Sequence, residues 1–172
     1  MAVTAGAAPA PPLTIALAAG ITLGVVVLIA GFLVLGAALG LAPLYAGFLI
    51  LWYFGNIDML DDKALPVLCV GALAGAATAW LLQAGIVAAG AVGAVPALAV
   101  IVAAIFCQLL GWLPLVINRA YMLYVTVLAA PLLQQHERFD RVLLTIVVAT
   151  VYFGGVVLAG RRIVAMRRGA GA

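Results

Sequence analysis

Long apolar segments, separated by short polar or Gly/Pro-containing boundaries, run through the whole chain. No charged side chain occurs in residues 1–57 or 64–118, and the same holds for 120–136 and 142–160. A helix that crosses a bilayer needs about 20 consecutive, mostly apolar residues. The pattern therefore predicts about six membrane-crossing helices. Their approximate bounds are 13–38, 44–54, 65–88, 96–117, 120–133 and 142–160.

One stretch occurs twice, 71 positions apart, and it predicts how the helices are arranged. The frame Leu-Gly-x-x-Pro-Leu at 39–44 returns at 110–115, so that Pro43 aligns with Pro114. Each copy begins a segment of only about 15 apolar residues, which is short for a full span. Short segments interrupted by Gly or Pro in corresponding halves are typical of inverted-repeat transporters.

The expected fold is therefore an all-α, polytopic membrane protein of two inverted three-helix repeats, at 13–90 and 95–160. Two of its helices are short or broken by proline. Whether 43–57 and 114–133 span the membrane or re-enter stays open at the level of sequence.

Composition excludes a water-soluble domain and fixes an orientation. Hydrophobic residues make up 69% of the 172 residues and charged residues 8%, against an apolar share of about 45–50% in soluble domains. The net charge of +3 comes largely from four arginines within the tail at 161–172. Basic residues beside a span favour the cytoplasmic side. The protein is expected in a bacterial inner membrane. An even number of spans then places both termini, including the Ala/Pro-rich leader at 1–12, in the cytoplasm. No nucleic-acid partner is expected.

Few residues offer chemistry, and no catalytic constellation is predicted. The carboxylates at 58–62 could ligate a hard cation, but a solvated loop that caps the next helix is the favoured interpretation. Cys69 and Cys107 lack metal-ligand spacing, and His136 has no nucleophile nearby. Neither a metal, a cofactor nor an enzymatic activity is expected.

The predicted site is a solute path between the two short segments. Pro43 and Pro114 each remove a backbone donor, and the freed carbonyl groups need a partner that lipid cannot provide. The polar candidates are Gln108, Asn118 and Arg119, although Gln108 and Gln83 are also expected to bond neighbouring helices. Arg119 is either an intramembrane cation or an ordinary cytoplasmic loop residue. The aromatic candidates are Trp52, Tyr53, Trp112, Tyr121 and Tyr124.

Short motifs near both ends of the apolar region resemble one protein family. They are Ala46-Gly47-Phe48-Leu49 with Tyr53-Phe54, Trp80 near the end of the next span, and Asp140-Arg141-Val142-Leu143 with Tyr152-Phe153-Gly154. This pattern is similar to that of the DUF1097 family, small bacterial inner-membrane proteins of unassigned activity. The resemblance implies a small polytopic membrane protein and assigns no site residue.

The function expected from these features is a channel or transporter for a small solute or ion. The protein is expected to be a homo-oligomer that uses the small-residue faces at Gly20–Gly24 or Gly71–Gly75. The alternative is a membrane subunit or scaffold that transports nothing and binds a partner membrane protein.

Overall fold

Residues 14–169 are described by a computed structural model, and within this range the regular structure is entirely helical. The predicted all-α class is confirmed. The leader at 1–12 lies outside the described residues. A 3-10 turn, Asp62–Ala64, precedes the third of seven α-helices. The helices are α1 Ile15–Ala38, α2 Leu44–Asn56, α3 Leu65–Gly93, α4 Val95–Leu109, α5 Arg119–Leu128, α6 Pro131–His136 and α7 Phe139–Gly169.

Within residues 14–169, three segments are long and apolar enough to cross a membrane: Ile15–Ala38, Asp62–Gly93 and Phe139–Ile163. The other helices are shorter, as expected for the segments after the two prolines. Helices α2 and α5 have 13 and 10 residues. At 1.5 Å per residue they extend about 20 and 15 Å, less than the hydrocarbon thickness of about 30 Å. Each is a single helix without an internal reversal, and whether their segments span the membrane or re-enter stays open.

The chain reverses direction near the end of α3, at Ala89 and Gly90. Gly90 has a φ of +59°, in the left-handed region that glycine enters without steric cost. After the reversal the backbones of Gly85 and Gly93 touch, and a Cβ on either residue would collide with the backbone oxygen of the other. The predicted turn at 90–95 is therefore centred slightly earlier, and the residues after Gly90 already lie against α3.

The repeated sequence frame folds into the same turn twice. Gly40 and Gly111 both have a positive φ, +63° and +68°. After α1, the Leu41 N–H donates to the Gly36 carbonyl at 2.8 Å, and after α4 the Trp112 N–H donates to the Cys107 carbonyl at 2.8 Å. These are the long backbone bonds that close a helix C-terminus. The turn at Gly111 ends α4 at Leu109, so the predicted continuation to residue 117 is wrong.

The two copies diverge after this turn. Helix α2 begins at Leu44, directly after Pro43, whereas α5 begins five residues after Pro114, at Arg119. Both prolines thus precede a short helix, and neither interrupts one from within. The inverted relation of the complete halves stays a prediction.

Two groups of contacts define opposite ends of the helix bundle. At the first, which we call the arginine end, Arg161 of α7 contacts the Asp62 carboxylate and donates to the Leu60 carbonyl at 2.7 Å. At the second, the glutamine end, Gln83 of α3 donates to the Gln134 carbonyl at 2.7 Å. Helix α3 therefore runs from the arginine end to the glutamine end, and α7 runs back.

The remaining helices alternate between these ends. In α2, Gly47 packs against Ala149 of α7 and Asp58 follows at the arginine end, so the two helices are parallel. Helix α4 returns from the reversal to the arginine end, and α5 runs beside α3 in the same direction. Helix α1 is antiparallel to α7. Helix direction thus alternates along the described chain, and the expected number of six membrane crossings stays a prediction.

The core lies between α2, α3, α5 and α7, and small residues of α3 bring α5 close. An added Cβ on Gly75 would collide with the Tyr121 backbone oxygen, and one on Gly71 would collide with the Asn118 amide. The Gly71–Gly75 face is therefore covered within the chain, so the expected subunit contact there is wrong. Gly20 and Gly24 of α1 have no described neighbour within 4 Å of an added Cβ. The largest fully buried side chains include Tyr124, Phe32, Phe54, Phe139, Phe153 and Ile50.

We expect Gly75→Ala to separate α3 from α5 and to destabilise the protein by about 1–3 kcal/mol, the usual cost of overpacking. The matched control is Gly20→Ala, which adds the same methyl group in open space and favours the helix intrinsically. Thermal unfolding in detergent checks both variants. A Gly75→Ala melting temperature at or above that of Gly20→Ala would contradict the assigned packing.

Candidate solute site

A cavity of about 520 Å³ opens at the arginine end of the bundle. Its walls come from the C-terminal end of α2, the end of α4, the segment that follows α4, and the start of α5. The lining residues are Tyr53, Ile57, Asp58, Gln108, Gly111, Pro114, Ile117, Asn118 and Arg119. The cavity thus brings together two regions that are distant in sequence: residues 53–58, at the end of the first short segment, and residues 108–119, around the second copy of the repeat.

Several residues that the sequence singled out lie together in this cavity. Tyr53, Gln108, Asn118 and Arg119 all line it, and Pro114 forms part of the wall. Trp52 lies in an adjoining groove of about 380 Å³, which shares Tyr53 and Arg119 with the cavity. The structure thereby brings the first short segment next to the polar residues of the second.

Three aromatic candidates lie elsewhere. Tyr121 is buried and its hydroxyl lies 3.0 Å from the Thr78 hydroxyl of α3. The fully buried Tyr124 hydroxyl donates to the Ala46 carbonyl of α2. Trp112 packs edge-on against Phe106 and remains largely exposed. Tyr121 and Tyr124 lie on the side of α5 that packs against α3 and α2, and neither lines the cavity.

Asn118 is fully engaged in holding the cavity wall together. Its side-chain oxygen accepts from Ala120 N–H at 2.9 Å and from Tyr121 N–H at 3.1 Å, which caps α5. Its amide nitrogen lies 3.0 Å from the Val67 carbonyl of α3, and also bonds carbonyl groups of the preceding turn. These bonds leave little capacity for a solute, and Asn118 is therefore a positioning residue.

Gln108 has free hydrogen-bonding capacity. Its side-chain oxygen is buried and has no hydrogen-bond partner within the described residues. The expected bond to a neighbouring helix is absent there for Gln108, whereas it is confirmed for Gln83, which bonds the carbonyl groups of Gln134 and Glu137. A buried polar atom without a partner is costly, and the described residues contain three others, in Tyr45, Gln134 and Thr145, that do not line this cavity.

The cavity contains one carboxylate and one guanidinium group, from Asp58 and Arg119. Within the described residues, neither forms an ion pair with N···O of 4.0 Å or less. Burial raises the pKa of the Asp58 carboxyl above its ordinary value, and the nearby Asp61 raises it further, while Arg119 lowers it. The attraction of Arg119 thus compensates the Asp58 charge only in part.

Asp58 is a site residue that the sequence interpretation missed, because it was grouped with the solvated acidic loop. The predicted cap of the next helix is found one turn earlier: Asp61 accepts from Lys63 N–H at 3.1 Å and caps the 3-10 turn, whereas α3 begins after Ala64 without a side-chain cap. Asp62 instead pairs with Arg161. The signal that distinguishes Asp58 is local, since it stands between the apolar residues Ile57 and Met59.

A second cavity, of about 460 Å³, lies at the glutamine end, where α3 meets the segment between α5 and α7. Gln134 of this segment donates to carbonyl groups of α3 and α5, at Ala79 and Leu128. The cavity is lined mainly by apolar side chains, together with Gln83, Gln134 and Gln135. The Tyr121 and Tyr124 contacts lie between the two cavities.

No family model, curated protein or solved structure matches this chain. The resemblance to the DUF1097 family stays a prediction, and functional inference depends on the geometry of the chain itself.

We expect Asn118→Ala to destabilise the protein by about 1–2 kcal/mol, because it removes the α5 cap and the side-chain bond that joins α5 to the Val67 carbonyl of α3. The control is Asn56→Ala, which removes a single bond from the side chain to the Trp52 carbonyl at an exposed helix end. Chemical or thermal unfolding in detergent measures the difference. Equal stability of the two variants would show that Asn118 does not hold the wall.

Proposed function

We propose that this protein is a small membrane transporter and that its solute site is the cavity at the arginine end. The observation that carries the proposal is the meeting of Asp58, Gln108 and Arg119 in one cavity of an otherwise apolar bundle. Polar and charged groups in such surroundings are costly unless they have partners. A polar solute supplies those partners, and this explains why the groups are retained beside the membrane.

The packing of α5 against α3 and α2 favours a transporter over an open channel. The Tyr121–Thr78 contact joins α5 to α3, and the bond from Tyr124 to Ala46 joins α5 to α2. A path towards the second cavity would have to open between these helices. Alternating access by movement of short helices around a fixed site is the mode that such an arrangement suits.

The proposed topology is six membrane passes with both termini in the cytoplasm of a bacterial inner membrane. Support comes from the alternating helix directions and from the arginines that follow the last span. In this orientation the Arg161–Asp62 contact and Arg119 lie on the cytoplasmic side, so the cavity faces the cytoplasm. Helices α2 and α5 are each shorter than the hydrocarbon layer is thick. In this topology the turn that precedes each helix forms the rest of its membrane crossing.

Homo-oligomerisation is part of the proposal, and α1 is its expected contact. Phe32 and Gly36, near the C-terminal end of α1, are its only buried residues. Gly20 and Gly24 lie on the more exposed part, at the spacing that permits close helix approach in lipid.

Flux into proteoliposomes tests the proposed function. Labelled acetate, glycine and glycerol represent anionic, zwitterionic and neutral solutes. We expect uptake of at least one, reduced about tenfold or more in Arg119→Ala and Gln108→Leu, because each substitution removes a hydrogen bond that the solute makes.

Arg138→Ala is the matched control, since Arg138 is an exposed arginine that pairs with Asp140 at the opposite end. Its uptake should equal that of the unmodified protein. Unchanged uptake in the Arg119 and Gln108 variants would remove the cavity from the transport path.

The alternative proposal, a scaffold that binds a partner membrane protein, is favoured by the sparse packing of α1. Absence of uptake for all solutes, together with co-purification of a partner that is lost in Gly20→Leu and retained in Gly75→Ala, would support it.

A further inference from the structure

The charges of Asp58 and Arg119 are of opposite sign and lie in the same cavity without neutralising each other through an ion pair. Asp58 comes from the loop after α2 and Arg119 begins α5, so the charges belong to separate structural elements. Asp58 is half-buried and Arg119 is exposed, so both charges can be reached by a solute in the cavity. A solute that carries both charges provides a counter-charge to each.

We propose that this cavity binds a small zwitterion, an amino carboxylate, with its ammonium group at Asp58 and its carboxylate at Arg119. A guanidinium group forms two parallel hydrogen bonds with a carboxylate, and a carboxylate is a strong acceptor for an ammonium group. This inference rests on the proposed function and adds the class of solute.

The neutral groups of the cavity agree with this assignment. The Gln108 side chain lines the cavity and adds a neutral hydrogen-bonding group to it. The remaining lining is small or apolar, with Ile57, Gly111 and Ile117, and suits the aliphatic part of the solute. A purely anionic solute would instead meet the repulsion of Asp58.

The surroundings of Asp58 predict how binding depends on pH. Its pKa is raised chiefly by burial, with a further contribution from Asp61, and Arg119 opposes both. Tyr53 of α2 also faces Asp58. An ammonium group would stabilise the ionised carboxylate, and binding should therefore weaken as the pH falls through the pKa of Asp58. This loss begins at a higher pH than for an ordinary carboxyl group, whose pKa is about 3.9.

Binding to the purified full-length protein in detergent, measured by calorimetry, tests the proposal. The probes are glycine, β-alanine and 4-aminobutyrate, which differ in charge separation, together with the singly charged acetate and methylammonium. We expect at least one zwitterion to bind about 10- to 100-fold more tightly than either singly charged compound, the factor expected for a charge-assisted hydrogen bond.

Two near-isosteric variants assign the groups. Asp58→Asn should weaken zwitterion binding by a similar factor, remove its acid dependence and leave acetate binding intact or improved. Arg119→Gln should weaken binding of zwitterions and acetate alike but leave methylammonium binding intact. Thermal unfolding of each variant confirms that it is folded.

The outcomes separate this inference from the proposed function. Acetate binding as tight as that of every zwitterion, unchanged in Asp58→Asn, would overturn the zwitterion assignment and leave an anion site in place. Absence of binding for all five probes, together with absence of uptake in proteoliposomes, would overturn both.

Discussion

The close approach of α3 and α5 at Gly71 and Gly75 is the constraint on which the rest of the structure depends. Because neither glycine has a side chain, Asn118 and the Tyr121 backbone lie directly against α3. This contact places the Asn118 cap where it can also bond Val67. The start of α5, and therefore Arg119, is fixed at the arginine end as a consequence.

Lipid offers no hydrogen-bond partner, so the polar groups of the bundle interior have to be satisfied by the chain or by a ligand. Most are satisfied by the chain: Tyr124 bonds a carbonyl of α2, and Gln83 and Gln134 bond carbonyl groups at the glutamine end. Asp58 and Arg119 are different, since they face one cavity without an ion pair to any described residue. The proposed function follows from this contrast.

The sequence predicted the helical class and the two short helices after the prolines, because these follow from local rules. Gly40 and Gly111 occupy the same left-handed position in both copies, and the repeated frame already indicated an equivalence. The end of α4 was placed too late because residues 110–117 remain apolar after Gly111. Hydropathy alone does not distinguish a turn inside the bundle from a helix.

Which side of each helix packs in the core was harder to predict, for a physical reason. In a soluble helix the polar face identifies the buried one, but α3 is apolar on all sides and gives no such contrast. Tyr121 and Tyr124 were therefore expected in the solute path, whereas they pack against α3 and α2. Asp58 was assigned to the loop because its neighbours in sequence, Asp61 and Asp62, are surface residues, and only the fold brings it beside Arg119.

The central claim is that Arg119 borders an aqueous cavity on the cytoplasmic side, at the end of the bundle opposite to Gln135. Site-specific labelling tests it most directly, in a background with Cys69 and Cys107 replaced by alanine. A cysteine at position 119 and one at position 135 are exposed to a membrane-impermeant thiol reagent from either side of oriented membranes. The account predicts that position 119 reacts only from the cytoplasmic side and position 135 only from the other. Reaction of both positions from the same side would contradict it.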